Sequence, residues 1–280
     1  MSYSQHTART RVPADILEHY TTRWDESARL SSTVKGRLET ERLRYFLTRY
    51  LPGPAARVAD IGGGPGAHAA WMIEQGHSVG LLDPVPRHIE QARAAGVPSI
   101  LGDARELPWH DETYDAVLMA GPMYHLINAA DRRQALSEAV RILRPGGLLM
   151  VVAINRTANL IGSALANTLS RRREVVEDIL RNGHSTGNER MAPSTHYHGT
   201  TVLRTELTVA GLRPVTLHGL TGPGGWLTVV LDAHRDPGPL PPSLLDPDPL
   251  TTALECSRLA DDQPELVPSS SLLLGVGWRA

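Results

Sequence analysis

The sequence predicts an α/β fold: a mostly parallel, doubly wound sheet of Rossmann-like type, with helices on both faces. Three observations carry this. Short apolar runs of strand length alternate with helix-length segments between residues 58 and 154. The first run stops at a glycine-rich bend, Gly62-Gly63-Gly64-Pro65-Gly66, which leads directly into a helical pattern. The composition, 41% hydrophobic and 21% charged over 280 residues, is that of a chain with a real core and not of a disordered one.

In order along the chain, residues 1–13 are polar. Asp15 to Tyr50 carries two amphipathic stripes: Ile16, Tyr20 and Trp24, then Leu38, Leu43, Phe46 and Leu47. Pro52-Gly53-Pro54 ends this segment. Residues 1–52 are therefore expected to form an N-terminal helical cap on a core of residues 53–280. Within the core, strands are expected at 58–61, 78–82, 98–101, 115–119 and 148–154. The intervening helices run over 68–75, 87–95 and 132–143, closed at Gly76, Gly96 and the turn Arg144-Pro145-Gly146-Gly147. Residues 155–200 break the alternation and read as a lid inserted at the sheet's carboxyl edge. A helix over 201–210, a sixth strand over 213–217, a proline-rich loop over 232–249, a helix over 250–260 and a terminal strand over 271–278 complete the chain.

Composition excludes several functions. One cysteine, Cys256, leaves no disulfide framework, cysteine zinc cluster or two-thiol chemistry. A net charge of −2 without a long basic run argues against a nucleic-acid or membrane partner. There is no secretory h-region and no membrane-length apolar run, so a cytoplasmic protein is expected, either a monomer or a homodimer.

The bend at 62–66 is most informative with its neighbours. Gly66-Ala67-His68 lacks the Lys-Ser/Thr ending of a P-loop. Its third glycine comes one residue early for the dinucleotide fingerprint. Acids instead stand at three successive strand ends: Asp60 before the bend, Asp83 where two ribose hydroxyls can be accepted, and Asp103 where an adenine amino group can donate while the Ala104 N–H meets a ring nitrogen. Such a set would repel a polyphosphate and suits a nucleoside without one.

Together Val58–Gly66, Asp83, Gly102-Asp103-Ala104 and Leu143-Arg144-Pro145-Gly146-Gly147 resemble the class I S-adenosylmethionine-dependent methyltransferases, over about residues 15–155. The resemblance implies a seven-stranded sheet with an antiparallel last strand. It implies S-adenosylmethionine as cofactor, with Asp60, Gly62, Gly64 and Gly66 beneath its methionine part, Asp83 on the ribose, and Val85, Asp103 and Ala104 at the adenine. Ala120, which opens the loop after the fourth strand, joins this cofactor set.

The same loop, Gly121-Pro122-Met123-Tyr124-His125-Leu126, is not the Asn/Asp-Pro-Pro-aromatic pattern of enzymes that methylate exocyclic amines. It is similar to the loop of small-molecule methyltransferases, and it nominates Tyr124 and His125, although His125 also reads as a helix cap. In the lid, His196 and His198 stand two apart, a spacing that also suits metal ligands; without a nearby acid no metal is assigned, and His198 is nominated as a base or substrate contact. Trp226, in a Gly222-Pro223-Gly224-Gly225 loop, suits an apolar or aromatic substrate wall. Tyr20 and Trp24 would close the site from the cap, and Arg42 would offer its guanidinium to a carboxylate of the cofactor or substrate. The expected activity is methyl transfer to oxygen or nitrogen of a small-molecule substrate. The alternatives are an RNA or protein methyltransferase and a non-methylating S-adenosylmethionine-binding protein.

Overall fold

The computed structural model describes residues 12–23, 26–185, 195–233 and 248–280. Strand β1 (Arg57–Ile61), β2 (Ser78–Asp83), β3 (Ser99–Leu101), β4 (Tyr114–Met119) and β5 (Leu143–Ile154) alternate with helices Ala67–Glu74, Pro86–Ala94 and Ala129–Ile142. These bounds lie within a few residues of the expected ones, because each element is delimited by local chemistry. Pro86 opens its helix at a position whose N–H would have no intrahelical partner. The first-strand helix closes at Gln75-Gly76, with Gly76 at φ +90°.

The seven-stranded sheet has the order β3-β2-β1-β4-β5-β9-β8, where β8 is Leu212–Gly219 and β9 is Leu272–Arg279. The first five strands are parallel; β9 inserts antiparallel between β5 and β8, pairing Leu148 with Trp278 through to Ile154 with Leu272. The order reverses between β1 and β4. At such a point the loops leave the carboxyl edge in opposite directions and open a crevice.

Alternation along β1 sends Ala59 and Ile61 into one core, with the helix Ala129–Ile142 and Leu203 and Leu207 of the helix Thr200–Val209. Val58 faces the other core, with helices Val34–Tyr50, Ala67–Glu74 and Pro86–Ala94. Period two puts Asp60 on that second apolar face, at its carboxyl end.

Among the described residues of 155–200 are the helices Ala158–Leu165 and Leu169–Asn182 and an antiparallel pair of β6 (His184–Ser185) and β7 (Thr195–His196). The Gly222–Trp226 segment departs from expectation. It is not a loop: Trp226 stands in the first turn of a helix, Gly224–Ala233. The glycines that argue against a helix are there for packing. A Cβ on Gly224 would lie 1.9 Å from the Ala253 carbonyl of the adjoining helix Pro249–Leu259, so close contact overrides weak propensity.

The helix Val34–Tyr50 starts at Thr33, whose hydroxyl accepts from the Gly36 N–H at 2.8 Å. This helix corrects the expectation for Arg42. The residue is fully buried and does not line the cavity described below. Its Nη1 donates to Asp261 at 2.9 Å, its Nη2 to the other oxygen of the same carboxylate, and its Nε to the Leu220 carbonyl at 2.9 Å. A guanidinium buried against Asp261 and Leu220, off the cavity lining, does not reach a cofactor there. Replacing Arg42 with Ala leaves Asp261 as a buried, uncompensated charge and should cost about 3–5 kcal/mol in denaturant unfolding. Affinity for S-adenosylhomocysteine should stay unchanged in the folded fraction; a specific loss of that affinity would restore Arg42 to the site.

Candidate active site

A cavity of about 510 Å³ opens at the β1/β4 reversal. Its floor is built by two loops in unusual contact. Gly62 follows β1 at φ +70°, and a Cβ there would lie 2.7 Å from the Pro122 ring; a Cβ on Gly121, after β4, would lie 2.9 Å from the Gly62 carbonyl. Only side-chain-free residues let these backbones meet.

Beneath this floor lies Asp60, 1% exposed, with neither carboxylate oxygen hydrogen-bonded. Burial, reinforced by the nearby Asp83 charge, raises its pKa to about 7. Asp83 is the better-satisfied acid. One oxygen accepts from the Gly64 N–H at 2.9 Å, the other from the Val85 N–H at 2.9 Å and from His88 Nδ1 at 3.0 Å. Asp103 is gripped by Arg105, Nε to one oxygen at 3.0 Å and Nη2 to the other at 2.7 Å.

Beside His88, the partner of Asp83, the Tyr20 hydroxyl bonds His125 Nε2 at 2.9 Å. Burial raises the pKa of Tyr20 well above its ordinary value, and it does the same for Tyr124. Tyr20 therefore keeps its proton at neutral pH, and it donates to Nε2 in the His125 tautomer that carries its proton on Nδ1. The rings of Tyr20 and Tyr124 meet that of His125 edge-on, with centroids 5.4 and 4.6 Å away. The outer wall is apolar and aromatic: Ile154, Ala158, Tyr197, Trp226, Val229 and Leu272. The Trp226 indole N–H is satisfied by the Ser269 carbonyl, which leaves the ring to serve as wall.

The structure thus gathers Tyr20, Asp60, Gly62, Gly64, Asp83, Val85, Asp103, Ala104, Ala120, Tyr124, His125 and Trp226 around one space. Trp24 lies outside the described residues. Two other nominees lie off the cavity. Gly66 starts the helix Ala67–Glu74 and faces Ala92, 3.3 Å from where a Cβ would stand. His198 is fully buried against Glu206, Nε2 to Oε2 at 3.1 Å, so it touches no substrate; its neighbour Tyr197 is the lid residue on the cavity. His196 and His198 pack edge to face, 4.4 Å between centroids. Among the described residues no group of three potential ligands is placed to hold a metal, and no helix is long and apolar enough to cross a membrane.

Sequence reasoning missed an ionic cluster at the cap side of the cavity. Arg29 bonds Glu26 through Nε and Nη2, at 2.9 and 2.6 Å, and Glu39 through Nη1 at 2.5 Å. Burial would raise the Glu39 carboxyl, but the Arg29 and Lys35 charges hold it below the usual range. The i,i+3 spacing of Glu26 and Arg29 was a legible signal for half of this cluster; Glu39 reaches it only through the fold. His68 also lines the cavity, and burial, with the charges of Arg44 and Arg29, lowers its pKa to about 4.

Residues 59–151 match the methyltransferase domain family. An uncharacterized methyltransferase of Mycobacterium tuberculosis is 39% identical over 104 residues, which cover 36% of this chain and 41% of that one. A demethylmenaquinone methyltransferase of a Mycobacterium species is 34% identical over 114 residues, 38% of this chain and 45% of that one. A probable tRNA methyltransferase of Homo sapiens is 36% identical over 110 residues, 39% and 23% respectively. The chain thus spans less than half the length of these relatives. In fold, phosphoethanolamine N-methyltransferase 2 of Haemonchus contortus, solved with S-adenosyl-L-methionine, aligns with a TM-score of 0.58 at 13% identity, over 96% of this chain and 60% of that one. Residues 59–151 thus form a methyltransferase domain, in the fold of a neighbour that binds S-adenosyl-L-methionine. The residues present fit it: a buried, unpartnered carboxylate suits a cationic ligand, and the floor at Gly62 and Gly121 has no room for a side chain.

The state of Asp60 gives a pH prediction. A cation beside it favours the ionised form, so affinity for S-adenosylmethionine should rise with pH through about 7. The raised pKa also means that the folded protein holds a proton the unfolded chain releases near its ordinary value of about 4. This contribution to stability is complete below that value and is lost as pH climbs through about 7. Calorimetric titration from pH 6 to 8, with the Asp60→Asn variant alongside, checks both claims: the variant should bind weakly and show a flat profile, and a flat profile in the parent protein would refute the role of Asp60.

Proposed function

We propose that the chain transfers the methyl group of S-adenosylmethionine to a small acceptor with an apolar or aromatic body, at an oxygen or nitrogen atom. The observation that carries this reading is one cavity lined by the unpartnered Asp60, by the Tyr20–His125 pair and by an aromatic wall. A charge of −2 and a cavity roofed by the lid and cap helices favour a small acceptor over RNA or protein, which would call for an open basic face.

When bound, the cofactor supplies a methyl group already activated on a sulfonium. The chain's task is then to bind, align and exclude water. In this reading Asp60, Gly62 and Gly64 hold the methionine part, Asp83 accepts the ribose hydroxyls, Val85 covers the adenine, and Asp103 with Ala104 meets its edge. Ala120 forms the floor beneath, and Tyr124 and Trp226 confine the acceptor. A protonated acceptor must lose its proton as the new bond forms. The Tyr20 oxygen takes that proton while its own moves to Nε2 of His125, which leaves a neutral phenol and an imidazolium.

Labelled S-adenosylmethionine offered with a panel of phenols, hydroquinones, aromatic amines and short carboxylic acids tests the reading. Label should reach at least one of these. No transfer to the panel, with transfer to bulk tRNA instead, would overturn it. His125→Ala should lower kcat by about 10²–10⁴-fold, the usual contribution of a positioned base, with S-adenosylhomocysteine affinity kept. Asp83→Ala should instead weaken that affinity directly, as measured by calorimetry.

A further inference from the structure

The acceptor loop and the lid are fastened to the same buried carboxylate, that of Glu206. Arg132, in the helix Ala129–Ile142 and 4% exposed, directs Nε and Nη2 to Glu206 Oε1 at 2.9 and 2.8 Å. Its Nη1 donates to the carbonyls of Leu126 and Ile127, at 2.9 and 2.7 Å. These carbonyls immediately follow Tyr124 and His125. The other Glu206 oxygen, Oε2, meets His198 Nε2 at 3.1 Å.

His198 fastens its segment to the end of β5 through the backbone. Its N–H donates to the Ile154 carbonyl at 2.8 Å, and its carbonyl accepts from the Arg156 N–H at 2.9 Å. The residue before it is Tyr197, on the cavity wall. A carboxylate can only accept, so Nε2 of His198 carries the proton. Desolvation keeps His198 from gaining a second proton, and the hydrogen bonds from His198 and Arg132 outweigh burial to hold Glu206 at a pKa of about 2. The cluster is therefore one cation, one anion and one neutral ring, taken out of water together. Such a group has few alternative arrangements, because moving any member strands a buried charge.

We propose that Glu206 is a positioning residue for methyl transfer: through Arg132 and His198 it fixes the distance between the acceptor loop bearing Tyr124 and His125 and the lid segment bearing Tyr197, and so the alignment of the acceptor. Glu206 does not line the cavity with them, and it acts only through its two partners. The inference rests on the methyl-transfer reading above, but its first test needs no turnover.

The protein, labelled with 3-fluorotyrosine at its seven tyrosines and saturated with S-adenosylhomocysteine, is followed by fluorine NMR, with lines assigned by single Tyr→Phe changes. Glu206→Gln keeps the shape and removes the charge; it should shift or broaden the lines of both Tyr124 and Tyr197 and leave that of Tyr45 in place. His198→Asn, which retains the Arg132–Glu206 pair, is the milder variant should the first fail to fold, and it too should move both lines. Movement of Tyr197 alone in either variant would show that the two segments are not coupled, and the proposal would fail. On an acceptor found with the panel, Glu206→Gln should lower kcat at least tenfold, the scale of a sub-ångström misalignment, with KM for S-adenosylmethionine within twofold. Glu206→Asp should recover part of the rate. An equal loss in KM, or no recovery with Asp, would reduce Glu206 to a structural role. Failure of the parent protein to bind S-adenosylhomocysteine or to methylate any acceptor would count against the functional reading, whereas these variant comparisons count against Glu206.

Discussion

The contact between two backbones at the sheet's carboxyl edge governs the rest of the site. Gly62 turns out of β1 with a left-handed φ and Gly121 leaves β4; a Cβ on Gly62 would run into the Pro122 ring, and one on Gly121 into the Gly62 carbonyl. Beside this contact the carboxylate of Asp60 is buried without a hydrogen-bond partner, at the edge of the cavity. Because the two loops diverge beyond the contact, a cavity opens above them. A buried acid on an otherwise apolar strand face is costly; here it leaves an electrostatic vacancy that a cation can fill.

Around that floor the acids of successive strand ends differ in how much of their capacity remains. Asp60 has no partner, Asp83 is held by two backbone N–H groups and His88, and Asp103 is clasped by Arg105. Three carboxylates that look alike in the sequence thus present three electrostatic environments. Burial raises the proton affinity of the first. The same division separates the histidines: His125 shares its Nε2 with a cavity tyrosine, whereas His198 is committed to Glu206.

The cap and the lid approach this floor by different physical means. The cap is tied by the ion pair of Arg42 with Asp261, while Arg29 with Glu26 and Glu39 ties two cap helices to each other. The lid is tied through the backbone of His198 and the cluster centred on Glu206. The aromatic groups that reach the cavity are Tyr20 from the first and Tyr197 from the second.

What the sequence determined by itself was everything set by neighbours along the chain. The strand and helix periods, the stops at Gly76 and Gly96, the glycine bend and the acids at strand ends all follow from local sterics and from burial on one face or two. These were enough for the parallel order of the first strands and for the group of residues lining the floor. Only the tertiary structure decided which polar side chains remain available. Arg42 and His198 had the right chemistry for a site, and each was claimed by a residue far along the chain or on another element, Asp261 and Glu206. Trp226 joined a helix because Gly224 meets the Ala253 backbone, a contact across 29 residues. A buried hydrogen-bonding group takes whatever partner the fold brings within 3 Å, and that partner is not encoded by spacing.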